Sequence, residues 1–241
     1  MILLFTDFGY DGFYVGQMRT VLARGAPGVP IVDLMHDAPA FDPAASAYLL
    51  AALTPAFPPA AVIVAVVDPG VGGARRPIVV RADERLFVGP DNGLFELVLR
   101  NAAQVDCHAI ECRPETMSNT FHGRDLFAPV AAALARGATY GGTPQPIAAQ
   151  RFPDWPDDLP AVIYVDGFGN LVTGLRAKTL ADDATLTVCG ERPLRARTFG
   201  DVEPGALLWY ANSVGLVEIA MNQGSASVAL QATIGTVVTL G

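Results

Sequence analysis

AAVIVAVVDPGVGGARR, residues 60–76, decides the fold. Its apolar run from Ala60 to Val67 lacks the alternation of a half-buried strand, so Ala61 to Val67 reads as a strand covered on both faces at the centre of a sheet. The run ends on Asp68, and a turn with three glycines in four positions follows, then Arg75 and Arg76. A carboxylate leaving the middle of a sheet into a Gly-rich turn stands where α/β proteins place ligand crevices. No GK[ST] follows the glycines, so the turn is not a phosphate loop.

Outward from this strand the first half alternates short β-rich runs with helical patterns. Strands are expected at Ile2 to Thr6, Ile31 to Leu34, Ile78 to Arg81, Leu86 to Val88 and Val105 to Ile110. Helices are expected from Phe13 to Arg24, Pro43 to Leu53, Leu94 to Arg100 and Asp125 to Arg136. This is α/β grammar over residues 1–143. Residues 144–160 carry Pro144, Pro146, Pro153, Pro156 and Pro160 with no helical period and read as a linker. From 161 to 241, short runs separated by turn residues (Ala161 to Asp166, Leu186 to Cys189, Ala206 to Tyr210, Leu216 to Ala220, Ser227 to Leu230, Thr236 to Leu240) predict a small antiparallel β-barrel.

The 241 residues are 51% hydrophobic and 17% charged, which is globular composition. A net charge of -8 offers no basic face to a nucleic-acid backbone and suits a cationic ligand better. Cys107, Cys112 and Cys189 are odd in number and lack CxxC spacing, so they read as reduced thiols rather than a disulfide framework or zinc site. The N-terminus has no basic leader and no apolar run approaches bilayer length, so a cytoplasmic address and no membrane partner are expected.

Two further strand ends gather polar residues. Thr6-Asp7-Phe8-Gly9 puts a carboxylate among glycines, although Asp7 or Asp11 could equally cap the helix that follows. His122, in Phe121-His122-Gly123-Arg124-Asp125, precedes an apolar helix whose positive end favours a neutral imidazole able to accept a proton. Asp7, Asp68, His122 and Asp125 could supply metal ligands, but no pair has diagnostic spacing and the neighbouring arginines would repel a cation, so no metal is expected.

TDFGYDGF at 6–13, HDAPAFDP at 36–43, DPGVGGARR at 68–76, PDNGL at 90–94, FHGRDLFAP at 121–129, DGFGNLVT at 166–173 and NSVGLVEIA at 212–220 together resemble one family. It is the S-adenosylmethionine hydrolase (adenosine-forming) or hydroxide adenosyltransferase family, related to fluorinase and chlorinase. The resemblance implies attack of water or hydroxide on ribose C5′ of S-adenosylmethionine, giving adenosine and L-methionine without cofactor. It also implies a homotrimer with each site between subunits. By resemblance the water is held by Asp68, Arg75 and His122, with Arg76 as fallback for the arginine. Asp7 matches the contact to the ribose hydroxyls, Phe41 an aromatic against the ligand, Asp166 and Ser213 the grip on the methionine ammonium and carboxylate, and Asn170 the adenine contact. DGFGN also reads as a plain β-turn, and Asn212-Ser213 could merely close a hairpin. A halogenase-like substitution is the nearest alternative, opposed by Gly123 where those relatives carry serine and by the charge of Asp68. A non-catalytic S-adenosylmethionine sensor and a metal-dependent hydrolase are the others.

Overall fold

A computed structural model describes residues 1–111, 113–114, 116–139, 143–144 and 152–241. Cys112 and residues 145–151 of the expected linker, Pro146 among them, lie outside the described residues. The chain divides into two compact units, Met1–Pro153 and Asp154–Gly241.

In the first unit, β1 (Ile2–Thr6), β2 (Ile31–Met35), β3 (Val62–Val66), β4 (Pro77–Ala82), β5 (Arg85–Pro90) and β6 (Val105–Ala109) form one sheet in the order β2-β1-β3-β5-β4-β6. β1 is parallel to both β2 and β3, and β3 is parallel to β5, whereas β4 runs antiparallel to β5 and β6. All five residues of β3 are buried, as an unalternated apolar run requires. Among the described residues, four α-helices accompany the sheet: α1 (Tyr14–Gly25), α2 (Pro43–Leu53), α3 (Glu96–Asn101) and α4 (Ala128–Ala135). Ile2 and Leu4 of β1 and Val62, Val64 and Val66 of β3 share a core with Met18 and Leu22 of α1 and Ala131 and Ala132 of α4. The alternate residues Leu3, Phe5, Ile63 and Ala65 are equally buried, and α2 packs against α3. α2 starts where the sequence instructs: Asp42 accepts the Ala45 N–H at 2.9 Å and Pro43 occupies the first turn.

This topology locates a site. The connection leaving β1 turns towards β2, on one side, while the connection leaving β3 heads towards β4, on the other. The chain therefore leaves the carboxyl ends of adjacent strands β1 and β3 in opposite directions, which opens a crevice at a topological switch point. Asp7 and Asp68 sit just beyond those ends.

β3 and β5 approach closely enough that a Cβ on Gly89 would stand 2.2 Å from the Ala65 carbonyl oxygen and 2.9 Å from Phe95 Cζ. Gly89→Ala is expected to lower stability by about 1–3 kcal/mol, the usual cost of forcing extra volume into a packed core. Urea denaturation of the full chain measures it, and an unchanged midpoint would show that β5 can shift freely.

In the second unit, β7 (Leu159–Val165), β8 (Leu171–Arg176), β10 (Leu194–Arg195), β11 (Leu207–Ala211) and β12 (Leu216–Met221) form a sheet in the order β10-β11-β12-β8-β7, while β9 (Leu186–Val188) pairs with β13 (Val238–Leu240). An isolated Ala161–Val237 bridge ties β7 to the residue just before β13. Backbone pairing thus passes from β9 through β13 and β7 to β10, and only residues 189–193 separate the two end strands in the chain. Leu171, Leu175, Trp209, Val217 and Ile219 form the core this curled sheet encloses. Pairing is antiparallel except between β10 and β11.

Residues 171–176, which the sequence pattern does not mark as a strand, form one next to the sheet centre, and one expectation changes. Ser227 to Leu230 lies in a short helix, α5 (Ala226–Leu230), because the Ser225 hydroxyl caps it by accepting the Val228 N–H.

Candidate active site

The in-register pairing of β1 with β3 ends at Thr6 opposite Val66, so the next residues of both strands emerge together. Asn92 fixes the end of β3 by donating its side-chain N–H to the Val67 carbonyl at 2.8 Å. After Asp68 the chain makes two tight turns, Val71 N–H to Asp68 O at 3.2 Å and Gly73 N–H to Gly70 O at 3.0 Å. Gly72 has φ +78°, and a Cβ there would lie 2.6 Å from the Asn119 carbonyl oxygen. Only glycine satisfies both constraints, which explains the residue at position 72.

The turns fold Arg75 back onto Asp68. Arg75 Nε donates to Asp68 Oδ1 at 3.0 Å and Oδ2 at 2.9 Å, and Nη2 also donates to Oδ2. The same Nη2 lies 2.8 Å from His122 Nδ1. The guanidinium therefore bridges the other two members, and it is Arg75 rather than Arg76 that does so. The side chains of Asp68 and Arg75 are 4% and 9% exposed and His122 is 6% exposed. Such a pair is largely withdrawn from bulk solvent, and a rigid fork of donors fixes its geometry.

A guanidinium can only donate, so His122 Nδ1 is an acceptor and a neutral ring carries its proton on Nε2. Burial, reinforced by the positive charge of Arg75, holds the His122 pKa below its ordinary value against the opposing pull of Asp68. This direction favours the neutral ring, and its main causes are desolvation and Arg75. His122 precedes a wide helical turn, Gly123–Phe127, that runs directly into α4. Arg124 anchors this turn, pairing with Asp125 at 2.6 Å and donating to Gln17 of α1 at 2.6 Å, while Asp125 accepts the Ser118 N–H.

Asp68 and His122 line a cavity of about 340 Å³ together with Asp7, Phe8, Tyr14, Phe41, Val71 and Phe121. That volume suits a small organic ligand. Arg75 is not among its lining residues; its fork faces Asp68 and His122. Asp7 accepts the Phe41 N–H at 3.1 Å through Oδ2. Burial pushes the Asp7 carboxyl above its ordinary pKa, backbone N–H groups oppose this, and the charge of Asp68 adds to it. Phe41 is 78% exposed and has φ 59°, a strained backbone for an aromatic residue that its bond to Asp7 helps to hold.

Phe8, Tyr14 and Phe121 form the aromatic wall, with Tyr14 and Phe121 edge to face at 5.1 Å and Phe8 at 5.9 Å from each. Sequence reasoning did not nominate them, although Phe8 and Phe121 lie inside its motifs; in sequence an aromatic wall looks like core. Two carboxylates among aromatic faces make a cavity suited to a cation. Among the described residues, no group of three His, Cys, Asp or Glu is arranged to hold a metal ion.

Asp166, Asn170 and Ser213 belong to the second unit. Asp166 Oδ1 accepts N–H groups from Phe168 and Asn170, both at 2.9 Å, and Oδ2 accepts the Asn170 side-chain N–H at 2.9 Å, closing the turn between β7 and β8. Ser213 is exposed on the turn between β11 and β12, where Asn212 Oδ1 accepts from Val214 and Leu216. Since Leu171 pairs with Ile219 and Arg176 with Leu216, these two turns lie at opposite ends of the β8–β12 pair.

Comparison with known proteins gives a consistent result. The sequence pattern of the SAM hydroxide adenosyltransferase N-terminal domain matches residues 2–142, and that of its C-terminal domain matches residues 160–239. An (R)-S-adenosyl-L-methionine hydrolase of Salinispora arenicola is 42% identical over 95% of this chain and 93% of its own length. One of Thermus thermophilus is 38% identical over 95% and 94%. The crystal structure of an uncharacterized conserved protein from Thermotoga maritima superposes with a TM-score of 0.90 at 32% identity, covering both chains completely. With both domain patterns spanning nearly its whole length, the chain belongs to the SAM hydroxide adenosyltransferase family.

Proposed function

We propose that the protein hydrolyses S-adenosyl-L-methionine to adenosine and L-methionine by attack of water on ribose C5′. The observation that carries this reading is that Asp68 and His122, joined through Arg75 behind them, line a cavity together with Asp7 and four aromatic rings. The sulfonium is a cation, so carboxylates and ring faces stabilise its binding. It is also an activated leaving group that departs as a neutral thioether and needs no acid. The missing component is an oriented nucleophile.

In this reading a water sits between the Asp68 carboxylate and His122 Nε2–H. His122 donates to its oxygen, Asp68 accepts its proton as the C5′–oxygen bond forms and the C5′–sulfur bond breaks, and the proton passes to solvent. Arg75 acts from behind, holding both residues in place. Positioning and base catalysis of this kind each contribute several orders of magnitude in rate. A halide would meet the charge of Asp68 at the same place, which favours water. Asp7 is proposed to bind the ribose hydroxyls, Phe41 to cover the ligand, Asp166 and Ser213 to hold the methionine ammonium and carboxylate, and Asn170 to contact adenine. No cofactor or metal is required by these steps.

The test is incubation of the purified protein with S-adenosyl-L-methionine in a chelator. Equimolar adenosine and methionine are expected. Tight binding without release above the spontaneous rate identifies a sensor instead, and activity restored only by a divalent ion identifies a metal-dependent hydrolase.

We further propose a cytoplasmic homotrimer whose sites are shared between subunits. Light scattering is expected to give three times the 25.3 kDa of one chain, and a monomer that retains full activity contradicts the shared site.

A further inference from the structure

His36 takes no part in the chemistry above, yet it is 1% exposed and lies under the loop that carries Asp7. Its Nδ1 is 2.8 Å from the hydroxyl of Thr6, itself fully buried. Its Nε2 stands 3.3 Å from Asp33 Oδ1 without the alignment of a hydrogen bond and has no other polar partner among the described residues. Beside a carboxylate the proton belongs on Nε2, so Nδ1 accepts and the Thr6 hydroxyl donates. The Thr6 oxygen in turn accepts the Phe8 N–H at 3.3 Å. Asp33 is held from its outer side by Arg19 at 2.7 Å, and the Tyr10 ring covers His36 edge to face at 5.4 Å.

The backbone repeats this connection. Gly9 N–H donates to the His36 carbonyl at 2.7 Å, Ala38 N–H donates to the Thr6 carbonyl at 3.1 Å, and Phe41 N–H donates to Asp7 Oδ2. Residues 6–9 and 36–41 are therefore one stitched unit, with His36 and Thr6 as its buried side-chain pin and Asp7 and Phe41 as the groups it presents to the cavity.

We infer that His36 is a positioning residue for substrate binding: as acceptor of the Thr6 hydroxyl, it fixes the loop so that the Asp7 carboxylate and the Phe41 ring are presented together to the ribose end of the ligand. This rests on Asp7 being the ribose contact. A buried imidazole with one satisfied and one unsatisfied nitrogen is costly to keep in a core, where leucine would pack without that cost. Its retention is explained by an acceptor that Thr6 needs.

Four full-length variants and one double variant test this through KM, kcat and thermal melting. His36→Leu is expected to raise KM for S-adenosyl-L-methionine about tenfold, with a smaller change in kcat, because the loop affects binding rather than the attacking water. His36→Asn, whose side-chain oxygen can take the Nδ1 position, is expected to restore most of the KM. Thr6→Val, which removes only the hydroxyl, is expected to reproduce His36→Leu and keeps the test open should His36→Leu fold poorly. In an Asp7→Asn background His36→Leu should add little further loss, since both act through one contact. Wild-type KM in Thr6→Val, or a full additional loss on top of Asp7→Asn, overturns the inference. If Asp7→Asn itself leaves KM unchanged, the ribose role of Asp7 fails instead, and the two failures are distinguishable.

Discussion

Asp68→Asn is expected to lower turnover of S-adenosyl-L-methionine by about 10²–10⁴-fold while weakening substrate binding far less. Asparagine keeps the shape and one acceptor oxygen, so the ligand cavity survives, but a neutral amide is a poor acceptor for the water proton. Aspartate to alanine is a worse test. It would leave the Arg75 guanidinium, 9% exposed, without its carboxylate, and breaking such a buried pair costs about 3–5 kcal/mol. Single-turnover kinetics with a parallel binding titration separate the two effects. Wild-type turnover in Asp68→Asn would remove Asp68 from the mechanism.

Arg75→Met carries the second large effect, and it acts on stability and rate together. Methionine fills the space of the aliphatic stem but leaves Asp68, 4% exposed, as a buried unpaired charge. A loss of about 3–5 kcal/mol is expected in chemical denaturation. Turnover should fall by about 10²-fold or more, because Asp68 and His122 lose the fork that aligns them. Arg75→Lys should recover little, since an ammonium cannot reproduce the fork that reaches both Asp68 oxygens and His122 Nδ1. The His122 titration supplies a direct readout. Burial and Arg75 together hold its pKa below the ordinary value. Removing Arg75 therefore moves it upward, while burial continues to oppose protonation. In the wild type the catalytically useful neutral ring persists below the ordinary histidine range, so activity falls on the acid side only at lower pH. In Arg75→Met that acid limb should shift to higher pH. An NMR titration showing no upward movement contradicts the coupling.

Much of this arrangement could be read from residues 60–76 because the constraints there are local. An unalternated apolar run has to be covered on both faces, and a Gly-rich turn between Asp68 and Arg75 returns an arginine to the carboxylate that precedes it. The strand order is different in kind. Nothing in the sequence of β4 states that it inserts antiparallel between β5 and β6, and the switch point between β1 and β3 exists only once that order is fixed. Residues 171–176 escape a strand reading because LVTGLR follows directly on a turn and contains Gly174. The structure uses that glycine for close contact, since a Cβ there would lie 2.7 Å from that of Leu159. Ser227 to Leu230 has strand composition, but helical structure there is decided by a cap two residues upstream. The motif blocks carried Asp7, Phe41, Asp68, Arg75 and His122 into one unit, four of them on the cavity wall and Arg75 behind it. They did not distinguish Phe8 and Phe121, whose apolar character suits a core as well as a cation-binding wall.

Attack of water on ribose C5′, directed by Asp68, Arg75 and His122 as proposed, fixes the origin of one oxygen atom in the products. Running the reaction in H₂¹⁸O with chelator present, then analysing the products by mass spectrometry, tests it most directly. One ¹⁸O atom in the 5′-hydroxyl of adenosine, with unlabelled methionine formed in equal amount, is the expected result. Adenosine free of the label, or a different adenosyl product, contradicts it.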